Sequence, residues 1–172
     1  MRKLSAILIS VIFVSSCVEV PEGITPVSGF KLDKYMGKWY EIARLDHRYE
    51  RHFNRVSVEY SLNNNGDVLI KKKGYMPMHT EWREKEGKAT LAGDTDQGFL
   101  KVSYIFALWE PYVIFKLDPD YEWAYVCGKD RTSLWLLART PEVNSEIRED
   151  FIEEASRLNF DTSQLNFVHQ SE

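Results

Sequence analysis

From Lys38 to Arg139 the chain is a succession of short runs in which polar and apolar residues alternate, broken by Asn, Asp, Gly and Pro. Alternation with period two marks a strand with one buried face. Strands spaced this closely form an antiparallel meander, because parallel pairing needs long crossovers between them. Residues 55–62 alternate without a break, and Asn63-Asn64-Asn65-Gly66-Asp67 then supplies the residue types that accept positive φ in a hairpin. Residues 68–75 run back. Residues 82–91, charged through Arg83, Glu84, Lys85, Glu86 and Lys88, follow, and then 98–106, 112–117, 123–128 and 133–139. With 38–45 the count is eight. Eight strands close into a barrel just wide enough for one small ligand, and closure removes the sheet edges that invite aggregation. After Pro141, residues Ile147, Phe151, Ala155 and Leu158 draw one apolar stripe, so a helix over 144–158 should pack outside. Residues 165–168 would add a short last strand. The expected class is all-β: an eight-stranded antiparallel up-and-down barrel, calyx-shaped, with one C-terminal α-helix packed on its outside.

A closed barrel brings its first and last strands together. Gly37-Lys38-Trp39-Tyr40-Glu41 heads the first, and Arg139-Thr140-Pro141 ends the last, so the Arg139 guanidinium can stack on the Trp39 indole for roughly 0.5–2 kcal/mol. These two motifs, with Asp118-Pro119-Asp120-Tyr121 before Tyr125-Val126-Cys127-Gly128, resemble the three short motifs of the lipocalins. The likeness runs from about Phe30 to Val168 and is nearest to the bacterial outer-membrane branch, which Leu100-Lys101-Val102-Ser103 and Glu86-Gly87-Lys88-Ala89 also resemble. It implies a barrel base built from Gly37, Trp39, Tyr40, Asp120, Tyr121 and Arg139. It further implies an outer-membrane protein that stores or transports fatty acids or lysophospholipids. One departure is Tyr104-Ile105-Phe106-Ala107-Leu108-Trp109-Glu110-Pro111, where that branch tends to carry a Gly-Pro-aromatic turn. The connection should shape the pocket or, through exposed Leu108 and Trp109, a homodimer contact.

Residues 1–16 begin with Arg2-Lys3 and continue as an apolar run that closes on Ser15-Ser16-Cys17. About 20 residues are needed to span a bilayer, so this run reads as a secretory signal. The Cys17 context resembles the lipobox of bacterial lipoproteins, which implies a lipidated N-terminus. Val18 rather than Asp follows it, which in enterobacterial sorting implies the outer membrane, on its periplasmic face. The chain then divides into a signal peptide (1–16), a lipidated tether (17–30) that stands the barrel off the membrane, and the barrel domain (31–172). With Cys17 consumed, Cys127 has no disulfide partner, and stability must come from the core. Loss of Arg2 and Lys3 moves the formal charge from −4 to −6, which argues against nucleic acid and against docking on anionic lipid by charge. The membrane is held through the N-terminal lipid.

No Gly-x-Ser-x-Gly, phosphate loop or His-Glu-x-x-His occurs. Cys127 has no histidine near it in sequence to activate a thiolate, and reads as inert. His47 and His52 lack the spacing of a metal pair, so no metal and no cofactor is expected. The loop they share carries Arg48 and Arg51, which with Arg44 and Arg55 on either side can meet a carboxylate or phosphate at the barrel mouth. Tyr60, Tyr104, Phe106, Trp109, Tyr112, Tyr125 and Trp135 are the ligand-binding candidates. The alternatives are a filled, purely structural barrel, or a carrier of another hydrophobe such as haem. One bulge inverts a strand's facing, so inward parity stays open.

Overall fold

The computed structural model describes residues 18–45, 50–105 and 108–171. The signal sequence, Cys17, His47, Arg48 and Phe106 lie outside the described residues. Eight strands, β1 (Gly37–Leu45), β2 (Asn54–Leu62), β3 (Val68–Met76), β4 (Glu81–Leu91), β5 (Phe99–Ile105), β6 (Leu108–Leu117), β7 (Trp123–Cys127) and β8 (Leu134–Ala138), pair antiparallel in sequence order. The barrel closes where β1 pairs with both β8 and β2. β1 meets β2 through Gly37–Tyr40, and a ninth strand, β9 (Leu165–Phe167), pairs with Ala43–Leu45 further up. The alternating residues therefore make the expected eight-stranded barrel.

Burial sorts the strands into two faces. Inside lie Trp39, Val58, Tyr60, Ile70, Leu100, Val102, Tyr112, Ile114, Val126 and Leu137. Outside lies a second core of Ile42, Val113, Tyr125, Cys127, Leu134, Leu136 and Ala138. It is covered by a helix, α2 (Ser145–Arg157), whose Phe151 and Ala155 are wholly buried. Asn144 caps this helix by accepting from the Ile147 amide at 2.9 Å, and its first turn carries Glu146, which complements the helix dipole. A register shift in β1 turns both Ile42 and Ala43 outward, and so brings Glu41 and Arg44 to the inner face.

The base is closed by α1 (Leu32–Tyr35), whose Tyr35 enters the barrel and packs on Trp39 with ring centroids 4.7 Å apart. The connections 63–67, 92–98 and 118–122 lie at this end. Residues 50–53, 77–80 and 128–133 lie at the opposite end, the mouth.

Two segments differ from the sequence-based expectation. β6 starts at Leu108 rather than at residue 112. Pro111 is tolerated because the β6–β7 ladder ends at Val113–Cys127, so its missing N–H costs no bond on that side. Residues 18–30 do not stand off as a tether. The Gly98 amide donates to Val27 O, the Val27 amide donates to Ile114 O, the Phe30 amide donates to Asp96 O, and Val18, Val20 and Ile24 pack on the outer core.

Candidate ligand site

Inside the barrel lies a cavity of about 520 Å³, lined by Val58, Tyr60, Val102, Tyr104, Tyr112, Trp135 and Leu137 together with Glu41, Lys72 and Lys85. A second space of about 350 Å³ continues toward β3 and β4 past Phe53, Val56, Gly74 and Met76, and shares Glu41, Glu50, Lys72 and Lys85 with the first. Together they match the usual size of a small-ligand site.

In β3 the inward parity set by Val68 and Ile70 carries on to Lys72 and Gly74. The Lys72 ammonium lies 2.9 Å from Glu41 and 2.6 Å from Glu50, and Glu41 also binds Arg44 at 2.8 Å. Burial alone would pull Lys72 down, but Glu41 and Glu50 outweigh it and hold the ammonium above its ordinary value. Lys72 therefore stays charged inside the barrel. Arg44, fully buried, also donates to the carbonyls of Glu50 and Phe53, which fixes the chain entering β2. Lys85 sits 4.6 Å over the Tyr104 ring.

Deeper down, the hydroxyl of Tyr112 lies 2.8 Å from those of Tyr35 and Tyr60. Burial raises all three tyrosines, so they are neutral. Three hydroxyls carry three hydrogens and share two contacts, so one O–H among the three is not used within the cluster.

At the base the Arg139 guanidinium lies 3.9 Å over the wholly buried Trp39 ring. It donates to the carbonyls of Lys38, Lys34 and Tyr121, and the Trp39 indole donates to Tyr35 O at 2.8 Å. Gly37 holds φ +95, and a Cβ there would stand 3.3 Å from Arg139 Nη1. The Tyr121 hydroxyl accepts from the Lys31 amide, while exposed Asp120 sits in a turn ordered by the Asp118 carboxylate.

A family model described as a lipocalin-like domain matches residues 30–170 of this barrel. The chain belongs to the lipocalin-like family. Outer membrane lipoprotein Blc of Vibrio cholerae is 43% identical over 171 residues, 99% of each chain. The Escherichia coli K12 protein of the same name is 41% identical over 150 residues, 87% of this chain and 85% of its own. Among solved structures, insecticyanin from the tobacco hornworm Manduca sexta superposes with a TM-score of 0.72 at 18% identity, covering 90% and 88% of the two chains, and shows the fold alone. Lipocalins are binding proteins rather than enzymes.

The lipocalin cavity takes in only part of the aromatic set read from sequence. Tyr60, Tyr104, Tyr112 and Trp135 line it. Tyr125 does not: it faces α2 and donates to Asp150 at 2.6 Å. Trp109 lies on the outer wall with Lys101 5.3 Å over its ring, and Tyr40 is likewise outside, under Lys38. Arg51 is exposed on the mouth loop and Phe106 falls beyond the described residues. Cys127 is buried in the outer core, where desolvation pushes its thiol up to about 12. Among the described residues no group of three His, Cys, Asp or Glu could hold a metal ion. Arg44, expected at the mouth as part of an anion clamp, is instead buried and paired with Glu41; the sequence reading missed Glu41 and Lys72 as cavity residues, although the parity of Val68 and Ile70 already points Lys72 inward.

Proposed function

We propose that this lipocalin binds single-chain lipids, fatty acids or lysophospholipids, in the barrel cavity. It stores or moves them in the cell envelope while held to the outer membrane by a lipid on Cys17. The location is supported by relatives named as outer membrane lipoproteins, one of them matching the chain over nearly its full length. The observation that carries the ligand class is a cavity with an apolar wall and a charged amine, Lys72, inside it. Burying some 14 methylenes is worth roughly 11 kcal/mol at about 0.8 each. Association costs return at least about 4 kcal/mol of that, and a charged head-group bond adds about 1.5–3 kcal/mol. The tail sets affinity and Lys72 selects an anionic head.

Native mass spectrometry of the full chain, gently extracted from membranes, tests this. A single-chain lipid should leave with the protein and be replaced by added palmitate or lysophospholipid. A bare mass that stays bare after incubation with both overturns the reading and favours a structural barrel.

A further inference from the structure

The N-terminal segment runs along the outside of the barrel from base to mouth. At the base, Phe30 and Lys31 are bound to Asp96 and Tyr121. At the other end, Arg131, in the β7–β8 connection at the mouth, donates to Glu22 O at 2.6 Å and to Leu158 O at 2.8 Å. Cys17 lies five positions before Glu22, a stretch that spans at most about 17 Å when fully extended. A nine-residue strand such as β1 is itself nearly twice that length, about 30 Å. An anchor on Cys17 is thereby tied closer to the mouth, where Glu22 is held, than to the base.

The same end carries the most exposed large apolar side chains among the described residues. Met78 is 77% exposed in the β3–β4 connection, and Ile105 and Leu108, flanking the β5–β6 connection, are 63% and 56% exposed. Trp82 adds a half-exposed ring at the start of β4, stacked with Tyr75 and Arg55. Apolar groups left in water at the tips of hairpins mark a surface that meets something apolar.

We infer that the open mouth faces the bilayer that holds the Cys17 lipid, with Met78, Ile105 and Leu108 resting in the headgroup–acyl boundary, so that ligand passes between cavity and leaflet without crossing water. The occupant is phospholipid, because the segment that leads to the anchor ends beside this rim. With a formal charge of −6 after processing, the chain offers no general attraction to anionic lipid, so contact relies on the anchor and the apolar tips. This orientation rests on the lipid-anchor reading above and adds to it which end of the barrel is buried.

The test uses the full lipidated chain in phospholipid vesicles. Single cysteines are introduced by Met78→Cys at the mouth and Asn64→Cys at the base, both exposed, and labelled with an environment-sensitive fluorophore. Buried Cys127 is spared because its thiol stays protonated. Seating about 5–10 Å into the boundary should let a doxyl lipid quench the position-78 label about twofold or more and leave the position-64 label unchanged. A second measurement follows transfer of a fluorescent fatty acid from vesicle to protein. Met78→Glu with Ile105→Glu should slow transfer about tenfold, while affinity measured without vesicles is unchanged. Co-flotation with vesicles but quenching at position 64, at both positions or at neither overturns the orientation. So does self-quenching at 78 from a second copy seated on the rim. Failure to co-float at all removes the anchor reading first, and the orientation with it.

Discussion

At the base, Trp39 is wholly buried between Tyr35 and the Arg139 guanidinium, and both Trp39 and Arg139 donate to backbone carbonyls. In the mouth half, Glu41, Glu50 and Lys72 place three charges against the cavity, with Arg44 buried beside Glu41, all paired with one another across β1, β3 and the loop before β2. The base spends its side chains on closure, while the upper half leaves room and charge for a guest. The motif that identifies the family thus sits mainly at the closed end, and on the proposed function selectivity belongs to Lys72, which no motif contains. Substitutions at the two ends should separate these properties.

The largest effect is expected from Trp39→Ala. It empties the centre of the base, removes the surface on which Arg139 stacks, and should cost about 3–5 kcal/mol in denaturant unfolding. The rank order of lipids bound should stay as in the parent. A folded variant of normal stability with altered selectivity would erase the distinction between the two ends.

Gly37→Ala is next. The residue must hold φ +95, and the added methyl meets Arg139 Nη1 at 3.3 Å. A non-glycine residue in such a conformation costs of order 1–3 kcal/mol. The same denaturation series should show that loss with lipid affinity unchanged.

At the other end, Lys72→Met keeps the bulk of the chain but removes the cation inside the cavity. Affinity for palmitate should fall about tenfold, equivalent to about 1.4 kcal/mol. Affinity for hexadecanol, the uncharged counterpart, should change less than twofold. Titration calorimetry with both ligands measures the difference, and equal losses would move the head group away from Lys72.

These expectations also show where the sequence was legible. Eight strands, their order and the Trp39–Arg139 contact followed from period-two runs and from the need of a barrel to join its ends. The occupants of the cavity were harder to read. Lys71-Lys72-Lys73 looks like a solvated run, yet pleating sends Lys72 inward and its neighbours outward to pair with Glu84. The β1 irregularity at Ile42 and Ala43 moves Arg44 onto the same inner face as Glu41, which alternation alone would forbid. Tyr125 misleads for the opposite reason: α2 makes the outer face of β7 as apolar as the inner one, so an aromatic there need not point at a ligand. Residues 18–30 read as a tether because Pro21, Gly23 and Pro26 break regular structure, but backbone bonds at Glu22, Val27 and Phe30 dock them on the barrel wall.

The smallest effect sharpens the contrast from outside the barrel. Lys116 binds Asp150 at 2.7 Å, much as Lys72 binds Glu41, but this pair is open to water, with the Asp150 side chain 44% exposed. Partial burial pushes the Asp150 carboxyl up, and the bonds from Lys116 and Tyr125 outweigh that, leaving it below its ordinary 3.8. A carboxylate held lower in the folded than in the unfolded chain stabilises above the unfolded value and loses that contribution as pH falls through the folded one. Solvent screening limits the contribution to less than about 1 kcal/mol at pH 7. Asp150→Asn should therefore lower stability only slightly at neutral pH and make its decline shallower below about pH 4, as read by urea midpoints across that range. If the variant instead lost as much stability as Trp39→Ala, the exposed pair would be part of the barrel's closure, and base and outer wall would have to be treated as one unit.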